Sequence, residues 1–256
     1  MSPIRELSED MKTAMVTGAT GALGRAVVDM LLRIRFKVVV HDSNLDALNA
    51  MVANLGEKAT NDNLYPICFD ATDPESVSAA CKRIDSEFST VYVLINNAGT
   101  HSQEPTNATS LAEWHRVFAA NVDSAFLLSK ELLPGMKQRK WGRIVNTCSL
   151  AAKTGGVTTG VSFATSKGAL HSLTFALARE CAKCNVTVNG VAPAYVRTAA
   201  NESFPADMSS MLLKYIPVGR FCEPEEFAHT VEFLISPKAG FITGEIIDMN
   251  GGLVMD

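Results

Sequence analysis

The 256 residues carry 47% apolar side chains and a formal charge of −4. That length and apolar share suffice for one large α/β domain and exclude a disordered chain. The acidic balance gives no reason to expect nucleic acid as a partner, and no run of residues is apolar enough for a membrane span.

The chain starts with the polar stretch Met1 to Glu6, which has no apolar core of a signal peptide. Lys12 to Thr17 reads as a buried strand, followed by glycines at 18, 21 and 24. A helix comes next, with Ala26, Val27, Met30, Leu31 and Ile34 on its inner face. Val38 to Val40 is a second strand that ends at His41 and Asp42. A further helix and strand run from Leu45 through Tyr65–Phe69. Val91–Ile95, Ile144–Thr147, Val186–Val191 and Ile246–Met249 read as the remaining strands. One long helix is expected from about Leu111 to Met136, and another from Ser162 onward, where Leu170, Leu173, Ala176 and Leu177 recur at helical spacing. Strands alternating with helices imply a parallel sheet wound on both faces, in a single α/β domain.

Six cysteines are spread through apparent core segments, as expected of reduced thiols in a cytoplasmic protein. Cys181 and Cys184 form a CxxC with no second pair nearby, so they read as packing residues and no metal is expected. The basic cluster from Lys137 to Lys140 reads as a solvated helix end, where cations suit the dipole.

The turn Val16–Gly24 joins the first strand to the first helix. Glycines there let a backbone turn sharply and let a pyrophosphate approach the N–H groups of a helix N-terminus. A plain helix cap accounts for a lone glycine turn about as well. Asp42, about twenty residues on at the end of a strand, adds weight to the nucleotide reading. Its carboxylate suits two ribose hydroxyls and repels a 2′-phosphate, which favours NAD over NADP. Asp42 and Ser43 as caps of the next helix is the competing reading.

Asn96-Asn-Ala-Gly99 follows the fourth strand, and Pro193-Ala-Tyr-Val-Arg-Thr198 follows the sixth. Gly142–Asn146, Val186–Asn189, Ile216–Arg220, Gly240–Gly244 and Asn250–Gly252 complete a series in fixed order. With the glycine turn and the region from Ser149 to Lys167, the chain resembles the short-chain dehydrogenase/reductase family from about Lys12 to Gly252. The C-terminal half is particularly similar to 3-oxoacyl-thioester reductases. The resemblance implies a Rossmann-type doubly wound sheet, a nicotinamide cofactor, an alcohol or ketone substrate and a homotetramer. It also implies roles by position. Gly18, Gly21, Leu23 and Gly24 would hold the pyrophosphate. Asp70 would sit at the adenine, and Asn97, Ala98 and Gly99 would line the nucleotide cleft. Pro193, Val196 and Thr198 would flank the nicotinamide. Ser149 would hydrogen-bond the substrate oxygen, Lys167 the nicotinamide ribose, and Asn121 a water in a proton relay. A stretch of about 196–217, rich in Met and Leu, would cover an adaptable, partly apolar substrate pocket. Arg197 is the one candidate there for an acidic substrate.

Three departures from the family pattern stand out. Gly21 and Ala22 give TGxxGxxG in place of the ordinary TGxxxGxG. Ala194 replaces a usual glycine beside the nicotinamide. Phe163, four residues before Lys167 and so on the same helix face, stands where the family has its catalytic tyrosine. Phenylalanine keeps the ring and loses the proton. Three accounts remain open: a Tyr→Phe change made to trap a substrate; a natural enzyme whose proton moves through water, His101, Ser162 or Tyr195; and a catalytically silent nucleotide-binding homologue.

Overall fold

The computed structural model describes residues 13–198, 201 and 204–255. Lys12, expected to open the first strand, lies outside the described residues.

Seven strands form one parallel sheet: β1 (Thr13–Thr17), β2 (Lys37–Asp42), β3 (Leu64–Cys68), β4 (Val93–Asn96), β5 (Gly142–Thr147), β6 (Val186–Pro193) and β7 (Ile246–Met249). Their order is β3-β2-β1-β4-β5-β6-β7, and every pairing is parallel. Side chains alternate across such a sheet, and both faces are covered, so both sets are apolar. Val16, Val38, Val40, Val93 and Ile95 pack on one face under α1 (Ala22–Arg33), α2 (Leu45–Leu55) and a C-terminal helix over Pro224–Ile235. Met15, Val39, Leu94 and Ile144 pack on the other face with Ile84, Leu128, Leu133 and Leu177.

The helices on that second face are α3 (Pro74–Glu87), α4 (Leu111–Phe118), α5 (Ser124–Arg139) and α7 (Val161–Cys181), with the short α6 (Ala151–Thr154) preceding α7. The long helix expected over Leu111–Met136 is therefore two helices. A turn of π-helix over Ala119–Asp123 joins them, and it holds Asn121, which is buried to 1% exposure. A π turn accommodates one extra residue per turn, which apolar spacing alone does not register. α8 (Ala206–Tyr215) and α9 (Pro224–Ile235) complete the chain's helices among the described residues.

Several helices carry conventional caps. Asn44 accepts the Ala47 amide at 3.0 Å and opens α2, so neither Asp42 nor Ser43 is that cap. Asp73 accepts the Ser76 amide at 2.7 Å and opens α3. By contrast, α1 and α7 open on Gly21 and Gly160, and neither glycine can offer a capping side chain. The expected strand at 91–95 starts at Val93, and the expected sixth strand runs on to Pro193. Lys137 pairs with Glu180, and the Arg139 guanidinium lies 4.6 Å from the Tyr92 ring centre, which accounts for the basic cluster at the end of α5. All six cysteines are free thiols. No helix among the described residues is long and apolar enough to cross a membrane.

Candidate active site

The loops after β1 to β6 meet along the carboxyl edge of the sheet. β1 lies between β2 and β4, so the chain leaves it in one direction and returns on the other side, which opens a crevice there. Gly18 turns the chain out of β1 at φ +60°, and a Cβ on it would lie 2.9 Å from the Ala98 Cα beyond β4. Gly24 is packed harder: its Cβ would meet the Gly18 oxygen at 2.3 Å. Gly21 meets no such limit, since its Cβ would lie 3.5 Å from its nearest neighbour; it serves as the N-cap of α1. The first turn of α1 has no acid and no side-chain cap, so its amides are available to an anion.

Asn97 links the two sides of the crevice. Its amide nitrogen donates to the carbonyls of Thr17 and Gly18, at 3.0 Å each. Its side-chain oxygen accepts the Thr147 hydroxyl at 3.2 Å. The Thr17 hydroxyl in turn accepts the amides of Asn97 and Ala98 at 3.0 and 2.9 Å. Asn97 thus borders the cleft while its own polar atoms hold the strand ends together.

Three cavities follow one another along this edge. The first, about 370 Å³, is bordered by Gly18, Asp42, Asp70, Ala98 and Gly99. Asp42 accepts the Thr20 hydroxyl at 2.6 Å, and the Asn44 amide at 3.1 Å, which aligns the carboxylate beside the glycine turn. Asp70 accepts both the amide and the hydroxyl of Thr72, which hold its carboxyl below the usual range. The Arg116 guanidinium also borders this cavity; Glu113 binds it at 2.7 and 2.8 Å, and it donates to the Thr100 hydroxyl. Sequence reading missed Arg116, whose position one turn before the π turn carries no motif.

The second cavity, about 390 Å³, shares Gly99 and Thr100 with the first. Leu23, Asn97, Ser149, Phe163, Lys167, Pro193, Val196 and Thr198 all border it, together with His101. The expected reacting residues are therefore brought together from β4, β5, α7 and the end of β6. Lys167 donates to the Thr147 carbonyl at 2.7 Å, and burial pushes its ammonium down to about 8. Its Nζ lies 5.7 Å from the Phe163 ring centre. Ser149 accepts the Ala151 amide at 3.2 Å, just ahead of α6. Beneath the site, Asn96 donates to Asn146, and Asn146 to Thr174, at 2.8 Å each. This buried chain ties β4 and β5 to α7.

Asn121 lies behind the cavity and does not border it. It donates to the Thr100 carbonyl at 3.0 Å and the Ser166 hydroxyl at 2.9 Å, and accepts the Thr100 amide at 2.7 Å. Both of its amide hydrogens are thus engaged, leaving one acceptor site.

The third cavity, about 450 Å³, shares Ser149 and Ala194 with the second. Leu150, Val157, Tyr195, Met211, Tyr215 and Leu253 give it an apolar lining. Of the stretch expected to cover the substrate, residues 199, 200, 202 and 203 lie outside the described residues. In α8, Leu212 is buried with Ile216 and Phe221 and holds the helix down, while Met211 and Tyr215 stand at the cavity. Two expectations are corrected here. Arg197 borders none of the three cavities; its Nε lies 2.8 Å from Glu223. Ser162 is fully buried and also borders none of them, because the first turn of α7 points its side chain into the fold.

Residues 12–209 match the family model described as short chain dehydrogenase. The 3-oxoacyl-[acyl-carrier-protein] reductase FabG of Vibrio cholerae is 34% identical over 244 residues, 95% of this chain and 98% of that protein. The enzyme of the same name from Aquifex aeolicus is 32% identical over 248 residues, 97% of this chain and 99% of that one. A crystal structure described as a short-chain dehydrogenase/reductase, glucose/ribitol dehydrogenase, from Brucella melitensis superposes with a TM-score of 0.88 at 30% identity, covering 96% of this chain and 98% of that one. Both the order of the strands and these likenesses over nearly the full length agree: the chain belongs to the short-chain dehydrogenase family, oxidoreductases that act on alcohol and ketone groups with a nicotinamide cofactor.

Proposed function

We propose that this chain binds NAD(H) in preference to NADP(H) and interconverts a neutral, largely apolar secondary alcohol and its ketone. The observation that carries this reading is the run of three joined cavities, acidic at one end and apolar at the other, with Ser149 and Lys167 between them. The residues fit a dinucleotide. Gly18 and Gly24 let the turn close on its own backbone and on Ala98, where a Cβ would collide, α1 presents uncapped amides, and two carboxylates border the adenosine end. Arg116, the cation of that cavity, is already neutralised by Glu113, so Asp42 sets the charge met by a 2′-phosphate.

When bound, the nicotinamide supplies or accepts the hydride. Ser149 donates its hydroxyl hydrogen to the substrate oxygen and keeps it at the mouth of the apolar cavity. Lys167, fixed on Thr147, serves the nicotinamide ribose. Asn121 acts as a positioning residue, since its hydrogen bonds hold Thr100 and the first turns of α7. Pro193, Val196 and Thr198 bound the nicotinamide side, and the stretch 196–217 covers the substrate. The apolar cavity has no Lys, Arg or His among its described lining residues, which disfavours carboxylate and phosphate substrates. Six free thiols suit a cytoplasmic setting.

A second reading, reduction of a 3-oxoacyl thioester, is favoured by the names of the relatives, and the apolar cavity has room for an acyl chain. One experiment separates the two. Turnover is followed at 340 nm with NADH and NADPH against neutral cyclic and aliphatic ketones, polyol-derived ketones and 3-oxoacyl thioesters. The proposal expects the highest kcat/KM for NADH with a neutral apolar ketone. Highest turnover of a thioester with NADPH would replace it with the second reading, and NADH binding without turnover of any substrate by either the wild type or Phe163→Tyr would leave a silent nucleotide-binding homologue.

A further inference from the structure

We propose that His101 carries the proton of the reaction in place of the missing phenol. This rests on the oxidoreductase reading above. The His101 ring packs against Phe163, with ring centres 4.7 Å apart, and it borders the same cavity as Ser149 and Lys167.

The loop that presents it is held at both sides. Thr100 exchanges two hydrogen bonds with Asn121 of the π turn, at 2.7 and 3.0 Å. On the other side, the Ser102 carbonyl accepts the Gly160 amide at 2.7 Å. A Cβ on Gly160 would lie 2.4 Å from the Glu104 oxygen, so only glycine lets the loop sit this close to α7. His101 is thereby fixed relative to the turn of α7 that carries Phe163.

Other candidates fail on position or chemistry. Ser162 is buried away from the cavity. Tyr195 borders the neighbouring cavity and packs on Phe221, 6.0 Å between ring centres. The Cys148 thiol borders the site, but burial pushes it up to about 12. Lys167 is held on the Thr147 carbonyl and is assigned to the nicotinamide ribose.

His101 suits the task. The ring packs on Phe163 at the border of the cavity while the residue remains exposed, so it faces both the cavity and solvent. Partial burial lowers its pKa from 6.5, which leaves a neutral base at pH 7. The charged and titratable groups around it are Lys167 and Cys148 across the cavity, Arg116 and Glu113 on α4, and Glu104 on its own loop. In alcohol oxidation the O–H proton passes to an imidazole nitrogen, the C–H pair leaves as hydride to the oxidised cofactor, and C–O becomes C=O. The imidazolium then releases its proton to water. Reduction runs the same steps backward, with imidazolium as the acid.

The test compares wild type with His101→Ala, His101→Gln, and His101→Ala combined with Phe163→Tyr. NADH binding is read by fluorescence titration, alongside turnover from pH 5 to 9. The expected result is a ~10²–10⁴-fold loss of kcat in both single variants with NADH affinity unchanged. Free imidazole should restore turnover to His101→Ala in proportion to its base concentration. The added phenol should restore it without imidazole. A merely structural role would show no imidazole rescue. Full turnover in His101→Ala, or a loss that imidazole does not relieve, overturns the proposal. So does a wild type that binds NADH but is inert while Phe163→Tyr turns over, and that result leaves the oxidoreductase reading standing. If neither form turns over any substrate, that reading itself falls, and the proposal with it.

Discussion

Lys167 reaches the Thr147 carbonyl at 2.7 Å from a position four residues beyond Phe163, so one turn of α7 is fastened to the end of β5. The ammonium is buried, and burial holds it near 8 instead of 10.5. The unfolded chain therefore keeps a proton between pH 8 and 10.5 that the folded chain has released. Stability accordingly rises with pH across that window, and the full cost of the buried charge is present below it. A shift of this size corresponds to roughly 3 kcal/mol. Lys167→Met removes the charge. Urea unfolding at pH 7 and pH 10 should show the wild type gaining on the variant by about that amount at the higher pH. A difference between the two proteins that stays constant with pH would mean the ammonium is not desolvated as the structure places it.

Asp42 offers a test of cofactor choice that leaves the turn intact. Its side chain accepts the Thr20 hydroxyl at 2.6 Å, so Asp42→Ala would remove charge and hydrogen bond together. Asp42→Asn keeps an acceptor for Thr20 and removes only the charge. The preference for NADH over NADPH should then narrow by about tenfold, equivalent to ~1.4 kcal/mol. Titration of both nucleotides against wild type and variant reads this directly. Equal affinities in the wild type would remove Asp42 as the selector.

Two glycines of the turn, Gly21 and Gly24, should respond unequally. In Gly24→Ala the new methyl group would sit 2.3 Å from the Gly18 oxygen and 2.8 Å from the Ala19 Cα, both rigid backbone. Its expected cost is about 1–3 kcal/mol of stability, with loss of NADH affinity. Gly21→Ala meets its nearest atom at 3.5 Å and should cost under ~1 kcal/mol. Denaturant midpoints for the two variants provide the comparison; equal losses would show that close packing does not distinguish the two positions.

The seven strands were legible in the sequence because apolar runs report burial directly, and helical spacing put Phe163 and Lys167 on one face; Ser149 joined them only through the resemblance to the family. Asn121 is a harder case. Its identity was visible, but the π turn that holds it was not, since one inserted residue barely disturbs the apolar pattern on either side. Ser162 was a candidate as the neighbour of Phe163 and Tyr195 as part of the segment after β6; the direction of the first turn of α7 and the neighbouring cavity take them away from Phe163. The Thr17 hydroxyl and Arg116 gave no sequence signal, because single polar residues acquire partners only through the crossing of distant loops. Ile246, which opens the last strand, is buried at 8% exposure with Cys148 and Leu170.

Assembly should follow the exposed apolar surface. Phe126 on α5, Phe175 on α7 and Phe233 on α9 remain 46%, 49% and 48% exposed, and Phe241, ahead of β7 in the chain, is 103% exposed. Large exposed aromatics on the helices and ahead of the edge strand suit closed two-fold contacts. A homotetramer is expected by light scattering at micromolar concentration. Phe175→Glu should divide it into smaller species without unfolding the subunit, and a monomeric wild type would contradict the prediction.

Phe163→Tyr adds one oxygen to a ring whose centre lies 5.7 Å from the Lys167 Nζ. A phenol ionises near pH 10 when free, and a cation this close favours its anionic form. The variant therefore gains a second acid and base beside His101. Turnover should rise by at least ~10-fold in either direction, a modest share of what a positioned acid or base can supply. NADH affinity should not change, because the glycine turn and Asp42 are untouched. The pH profile for alcohol oxidation should acquire a limb below pH 10, and that limb should move upward when Lys167→Met is added to Phe163→Tyr. If Phe163→Tyr is no faster than wild type on any substrate the wild type binds, ring position 163 does not face the reacting oxygen, and the proton path runs elsewhere in the cavity.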